Sequence, residues 1–117
     1  MDQQQLKLIG RLDGPSIVPA AAVAQIATYR QAVIACWLNR RATRMTYATL
    51  CERTGMRPSH IPDYLDPSGV DSHGRERRDM PAKYIPAFEL VVGNTFISQW
   101  FALQSNLPVL NSSQMVA

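Results

Sequence analysis

The sequence has few of the side chains that catalytic and metal sites require. It contains two histidines and two cysteines, Cys36 and Cys51, with no C-x-x-C pair and no His-x-x-x-His spacing beside them. Zinc binding and a disulfide framework are therefore not indicated, and we expect two small buried thiols in a reducing compartment. There is also no G-x-S-x-G motif and no glycine loop that would cradle a phosphate. Nothing here predicts an enzyme, a catalytic residue, a cofactor or a metal site.

Long hydrophobic runs are scarce as well. The N-terminal stretch MDQQQLKLIG lacks the charged segment and the apolar run of a secretory signal. The stretch closest to membrane length, YIPAFELVVGNTFISQWFAL, is interrupted by Pro86, Glu89, Gly93 and Asn94. That composition favours two core helices over a membrane span. We therefore expect no membrane contact and a cytoplasmic location.

What is present is enough apolar sequence for one compact core, at 46% of 117 residues. Periodicity predicts an all-α domain of four to five helices over residues 19–106, between an N-terminal arm (1–18) and a flexible C-terminal tail (107–117). The predicted helices cover residues 19–41, as one helix or two joined near Thr28, then 46–55, 58–65, 81–92 and 95–105. A flexible polar loop with three arginines, residues 66–79, separates the third helix from the fourth.

Positive charge is concentrated in the middle of the chain. The formal net charge is +3, but residues 30–78 alone carry nine arginines against five acidic residues. Residues 1–29 are neutral, and residues 79–117 have a net charge of −1. Arginine is suited to forked recognition of phosphate and guanine, so a polyanion would bind this middle segment.

The stretch LCERTGMRPSHIPDYL within that segment has the order of residues that a helix-turn-helix needs. Cys51 is the small residue of the first helix and Gly55 the turn residue, and the inner apolar set is Leu50, Met56, Ile61 and Tyr64 or Leu65. Thr46 and Pro58 are suited to begin the two helices. Pro62 should make the second helix short or partly 3₁₀. The same pattern occurs in corners of helical bundles that never meet DNA.

Periodicity and charge then divide the candidate DNA contacts into two groups. The outer face of the second helix, which would enter the major groove, carries Arg57, Ser59, His60, Asp63 and Asp66. Candidates for backbone contacts lie on either side of the motif: Arg40, Arg41, Arg44, Thr46, Arg75, Arg77 and Arg78.

With the later helices included, residues 28 to 106 resemble the CII-type helix-turn-helix regulators of temperate phages and prophages. The resemblance rests on TGMRPSHIPDYL, the arginine-bearing loop, MPAKYIPAFELVVGN and TFISQWFALQ. It implies a lambda-repressor-like bundle, homodimers or homotetramers on repeated or palindromic half-sites, and control of a promoter. An interaction with RNA polymerase and a nucleoid location when bound to DNA would follow. By position, Arg57, Ser59, His60 and Asp63 would face base edges, and the helix starting at Thr46 would meet a phosphate.

The expected function is therefore a sequence-specific regulator that binds double-stranded DNA. Two other classes remain open. A phage-type adaptor or anti-host factor would use the same bundle to bind a protein, for which Tyr64, Trp100 and Phe101 are candidates, although the last two are expected in the core. RNA binding is the third reading, but no aromatic platform on a strand is visible.

Overall fold

Helices account for most of the regular structure in residues 14–105, the part of the chain that the computed structural model describes. The all-α prediction is confirmed for this range. Its α-helices are α1 (Ala20–Ala24), α2 (Tyr29–Leu38), α3 (Tyr47–Thr54), α4 (Ile61–Leu65), α5 (Ile85–Val92) and α6 (96–105). Short 3₁₀ turns, Pro58–His60 and Ala82–Tyr84, lead directly into α4 and α5. Most of the predicted arm and all of the predicted tail lie outside the described residues.

Side-chain caps decide where the helices begin. The Thr28 side chain accepts a hydrogen bond from the Gln31 backbone N–H at 3.2 Å, and the Gln31 side chain accepts one from the Ala27 N–H at 2.8 Å. These reciprocal bonds satisfy backbone donors that the first turn leaves unpaired, so residues 19–41 form two helices rather than one. Thr46 caps α3 in the same way, through the Thr49 N–H at 3.3 Å.

The two prolines of the third helical segment shape it as the sequence predicts. Arg57 is extended (φ −79°, ψ 129°), as the residue before a proline prefers to be. Pro58 opens the 3₁₀ turn, and Pro62 lies in the first turn of α4, where it has no N–H to donate to an earlier carbonyl. The result is one 3₁₀ turn followed by a five-residue α-helix.

The core lies where α2, α3 and α4 meet α5 and α6. Its largest fully buried side chains are Phe88, Leu50, Ile61, Ile97, Val33, Val92 and Cys36. Both cysteines are free and buried, as predicted. Burial, together with the nearby charge of Glu89, raises the pKa of the Cys36 thiol, so it packs as a neutral apolar group.

Four parts of the chain cross at Gly93 and Asn94. The buried Asn94 side-chain amide donates to the carbonyls of Cys36 and Asn39, at 2.9 and 3.1 Å, and its oxygen accepts from the Phe96 N–H at 3.2 Å. The Ser16 backbone pairs on either side of Asn94 as a parallel bridge. One amide side chain therefore ends α2 and begins α6.

Gly93 has no room for a side chain. Its φ of +94° is in the left-handed region, and a Cβ there would lie 3.0 Å from the Arg41 Cβ. The Arg41 N–H also donates to the Val92 carbonyl at 2.7 Å, which holds the loop after α2 against the end of α5. Glycine is required here both for conformation and for this close approach.

Tyr29 connects the start of α2 to the segment that leads into α5. Its hydroxyl donates to the Met80 carbonyl at 2.7 Å, and its ring lies 5.6 Å from that of Phe101. Burial, with a smaller effect of Asp79, raises the pKa of Tyr29 from 10.0 to about 12. The hydroxyl therefore stays protonated and remains a donor well into the alkaline range.

We predict that Gly93→Ala is clearly more destabilising than Gly55→Ala. Both glycines end a helix with positive φ, so each substitution should cost about 1 kcal/mol in backbone strain. A Cβ at Gly55 meets nothing within 4 Å, whereas at Gly93 it displaces Arg41, a further loss of about 1 to 3 kcal/mol. Urea denaturation measures both free energies of unfolding. Equal losses would contradict the close contact with Arg41.

We also predict that Tyr29→Phe reduces the loss of stability in alkali. The folded-state pKa of Tyr29 is raised, so its stabilising effect is complete below about pH 10 and is lost as pH rises towards 12. The phenylalanine variant should start about 1 kcal/mol less stable, because the bond to Met80 is gone. Between pH 10 and 12 its melting temperature should then fall less steeply than that of the wild type. Parallel curves for the two proteins would show that Tyr29 does not titrate with unfolding.

Candidate nucleic-acid interface

The predicted helix pair folds with its inner face buried. Leu50, Cys51, Met56, Ile61 and Tyr64 are all buried, and Leu65 is half-buried. Gly55 takes the left-handed conformation (φ +80°) that the turn requires, and its N–H donates to the Cys51 carbonyl at 2.9 Å. The apolar residues that the sequence indicates therefore belong to the core, in which α3 packs mainly against α5 and α4 mainly against α2, while the remaining faces of both helices are largely exposed.

Only part of the predicted base-contact set faces solvent freely. Arg57 and Ser59 are exposed. His60 is half-buried beside Tyr64, with 3.4 Å between its Nδ1 and the Tyr64 hydroxyl. Asp63 has a side chain only 25% exposed, and its carboxylate accepts from Arg78 at 3.1 Å and from Arg77 at 3.4 Å. Arg57 and Ser59 are thus the side chains of this set that a base edge reaches most directly.

The predicted contacts before α3 are also of two kinds. The Arg40 guanidinium lies 4.2 Å from the centre of the Trp37 ring and donates to the carbonyls of Trp37 and Thr43. Arg41 donates to the Gly14 carbonyl at 2.6 Å and to the Ser16 hydroxyl at 3.0 Å. These two arginines help to hold the loop that follows α2, whereas Arg44 is exposed and makes no hydrogen bond or ion pair within residues 14–105.

Thr46 has a local role that the backbone-contact prediction did not include. Its hydroxyl is used to cap α3, and the residue itself is exposed. The N-terminal turn of α3 is therefore open to solvent beside Arg44. An N-terminal turn of this kind presents backbone N–H groups and a partial positive charge, which favours a phosphate.

The predicted flexible loop is a small hairpin. Val70 and Glu76 form an antiparallel bridge, and the Asp71 N–H donates to the Arg75 carbonyl at 2.8 Å. The Asp71 carboxylate accepts from the backbone N–H groups of His73 and Arg75, and Gly74 takes a φ of +77°. An aspartate that caps its own turn and a left-handed glycine are the usual components of a short hairpin, so this segment has a defined shape.

The three arginines of this segment that were predicted to contact the DNA backbone are each paired with an aspartate. Arg77 lies 3.4 Å from Asp63 and 3.5 Å from Asp66, and its side chain is only 21% exposed. Arg75 pairs with Asp71 at 3.5 Å and Arg78 with Asp63 at 3.1 Å, with side chains 75% and 60% exposed. Arg77 thus joins the hairpin to α4, whereas Arg75 and Arg78 extend into solvent, where ion pairs are weak.

Arg30 has a structural role that sequence reasoning missed. It lies in the first turn of α2, and its side chain is 11% exposed. The guanidinium donates to the backbone carbonyls of four residues and to one carboxylate; the acceptors belong to Asp63, Asp66, Arg77, Arg78 and Asp79. A cation at a helix N-terminus opposes the helix dipole, and that unfavourable position was the one signal in the sequence.

The side chains of three exposed arginines make no ion pair or hydrogen bond in the described part of the chain: Arg44, Arg53 and Arg57. They lie before α3, in its last turn and at the turn that follows it. The eight residues of α3 rise about 12 Å, which is close to the width of the major groove of DNA. Within residues 14–105, the exposed arginines whose side chains have no partner therefore lie around the predicted helix pair.

In residues 14–105, no helix is long and apolar enough to cross a membrane. Compared with models of protein families, with curated proteins and with solved structures, the chain matches none. The resemblance to CII-type phage regulators therefore stays a prediction drawn from the residues themselves.

Proposed function

We propose that this protein is a sequence-specific, double-stranded DNA-binding transcription regulator of the helix-turn-helix type, of phage or prophage origin. The observation that carries the proposal is Arg57, an exposed arginine without an ion-pair partner in the described range, which directly precedes the 3₁₀ turn and α4. In helix-turn-helix proteins the N-terminal part of the second helix contacts the base edges. Arginine in that place suits the O6 and N7 atoms of guanine.

In this proposal, the segment from Pro58 to Leu65 enters the major groove and α3 crosses the backbone. Arg44, Arg53 and the N-terminal turn of α3 contact phosphates. Arg57 and Ser59 are the base-contact residues that we retain with most support, because His60 and Asp63 already have partners within the protein. Two or four copies would place equivalent helices on repeated or palindromic half-sites, and RNA polymerase would be a partner at the promoter.

A protein-binding adaptor or anti-host factor is the second candidate. It is favoured by large apolar side chains on the surface: Leu38 is 69% exposed, Leu90 63% and Phe101 43%. Phe101 was expected in the core, but it is exposed, so that prediction is wrong. Such side chains suit a protein contact, which the regulator also needs if it forms oligomers.

The first test is selection of bound sites from a random double-stranded DNA library at near-physiological salt. We expect an enriched motif with two half-sites about 10 base pairs, or a multiple of that distance, apart. Weak binding that disappears as salt rises, with no motif, would contradict sequence-specific regulation. The adaptor would then be the better explanation.

The second test compares Arg57→Gln with Arg53→Gln on the selected duplex and on its single-base variants. If Arg57 makes a forked contact to guanine, its loss should cost about 1 to 3 kcal/mol and relax one base position. Arg53, an exposed arginine in the last turn of α3, is the matched control. Its loss should weaken all duplexes equally, as expected of a phosphate contact. Equal weakening of all sequences by Arg57→Gln would show that Arg57 does not read a base.

A further inference from the structure

Arg30 connects three parts of the molecule through a single side chain. Its Nη1 donates to the carbonyls of Asp63 and Asp66, at the end of α4, and its Nη2 donates to those of Arg77 and Arg78 at 3.3 and 3.1 Å. The same Nη2 lies 3.1 Å from a carboxylate oxygen of Asp79. Arg30 belongs to α2, which packs in the core. This one guanidinium therefore connects the core to the hairpin and to the segment from Pro58 to Leu65, which we call the reading segment.

We propose that Arg30 is a positioning residue, which fixes the hairpin of residues 69–77 beside α4 so that Arg75 and Arg78 contact DNA phosphates next to the half-site. The inference rests on the proposed function and adds to it a second, shaped contact element. Arg30 does not contact DNA itself in this proposal, because its side chain is only 11% exposed.

The hydrogen-bond acceptors around position 30 require an arginine. Five acceptors surround the planar guanidinium of Arg30, and a guanidinium has five N–H donors in a fixed fork. A lysine has one ammonium group with three donors, so it would keep the charge but reach only some of these acceptors. Four of the five acceptors are backbone carbonyls, and this set depends on the path of the chain rather than on the side chains at those positions.

Arg75, in the hairpin, and Arg78, which directly follows it, are suited to exchange partners. Arg78 is 60% exposed and shares Asp63 with Arg77, so Asp63 keeps one partner when Arg78 turns to a phosphate. Arg75 is 75% exposed, and its pair with Asp71 lies within the hairpin. Exposed ion pairs are weak and screened by salt, whereas the phosphates of DNA form a dense line of charge. Arg77 remains on Asp63 and Asp66 and keeps the hairpin in place.

The test is a mutant cycle on the selected duplex, with Arg30→Lys in the wild type and in an Arg75→Gln/Arg78→Gln background. Arg30→Lys should lower affinity roughly tenfold in the wild type and less than about twofold in that background, because its effect passes through the two arginines. The slope of log affinity against log salt should also fall by about 1 to 2, as expected when up to two phosphate contacts are lost. A smaller active fraction of folded protein would not change that slope. The same loss in both backgrounds, with an unchanged slope, would overturn the inference.

Asp79→Asn serves as a milder variant if Arg30→Lys folds poorly. Asp79 is 67% exposed and supplies the one side-chain acceptor of Arg30, so the fold should tolerate the change. We expect a smaller loss of affinity that again vanishes in the Arg75→Gln/Arg78→Gln background, and faster amide exchange at Arg77, whose N–H bonds to Gly69 within the hairpin. No effect on affinity and no change in exchange would count against the inference. If the wild-type protein binds no duplex at all, the proposed function itself is wrong. If the wild type binds DNA but Arg30→Lys causes the same loss of affinity in both backgrounds, only the role proposed for Arg30 is wrong.

Discussion

The buried amide of Asn94 is the interaction on which the arrangement of the helices depends. It satisfies two carbonyls at the end of α2 and one N–H at the start of α6; the bonds to Cys36 and Phe96 are buried, and the bond to Asn39 is partly buried. Gly93 allows the chain to turn at that point, and Arg41 and Ser16 pack or bond against it. An apolar side chain in place of Asn94 would remove all three bonds and leave the buried Cys36 carbonyl and Phe96 N–H unpaired. The position of α2 relative to α5 and α6 follows from this crossing, and α2 in turn carries Arg30.

The arginines of this protein differ in what they do, although they look alike in the sequence. Arg30, Arg40, Arg41 and Arg77 donate to backbone carbonyls or to half-buried carboxylates, and so serve the fold. Arg44, Arg53 and Arg57 are exposed and make no such bonds in residues 14–105, so their charge is available to a partner. Positive charge in residues 30–78 predicts that a polyanion binds this segment, and this stays a prediction. The charge pattern does not separate arginines that are engaged within the fold from arginines that are exposed, because a guanidinium serves equally well as a backbone clamp.

The parts of the fold that depend on near neighbours were predictable from the sequence. Thr46, Gly55 and Gly93 mark helix ends, and Pro62 shortens α4, because caps and proline act within a turn or two of their own position.

Contacts between distant residues were not predictable. Arg30 and Asp79 are 49 residues apart, and Asn94 and Cys36 are 58 apart, so no local pattern announces either pair. The hairpin was missed for a different reason: the segment was predicted as a flexible polar loop, and the single bridge between Val70 and Glu76 is too short to show alternation. For the candidate site, residue exposure separated Arg57 and Ser59 from His60 and Asp63, which periodicity alone had grouped together.

The shortness of the proposed reading segment limits how it can recognise DNA. A 3₁₀ turn and five α-helical residues offer a groove little length, and two of the four predicted base contacts are engaged inside the protein. One such segment can discriminate few base pairs, since each forked contact contributes only about 1 to 3 kcal/mol. If the protein reads sequence, most of its affinity must then come from phosphate contacts and from binding several half-sites at once. Phosphate contacts and simultaneous binding to several half-sites both require that the cations beside the reading segment are rigidly placed. A buried Arg30 with several hydrogen bonds would provide that rigid placement.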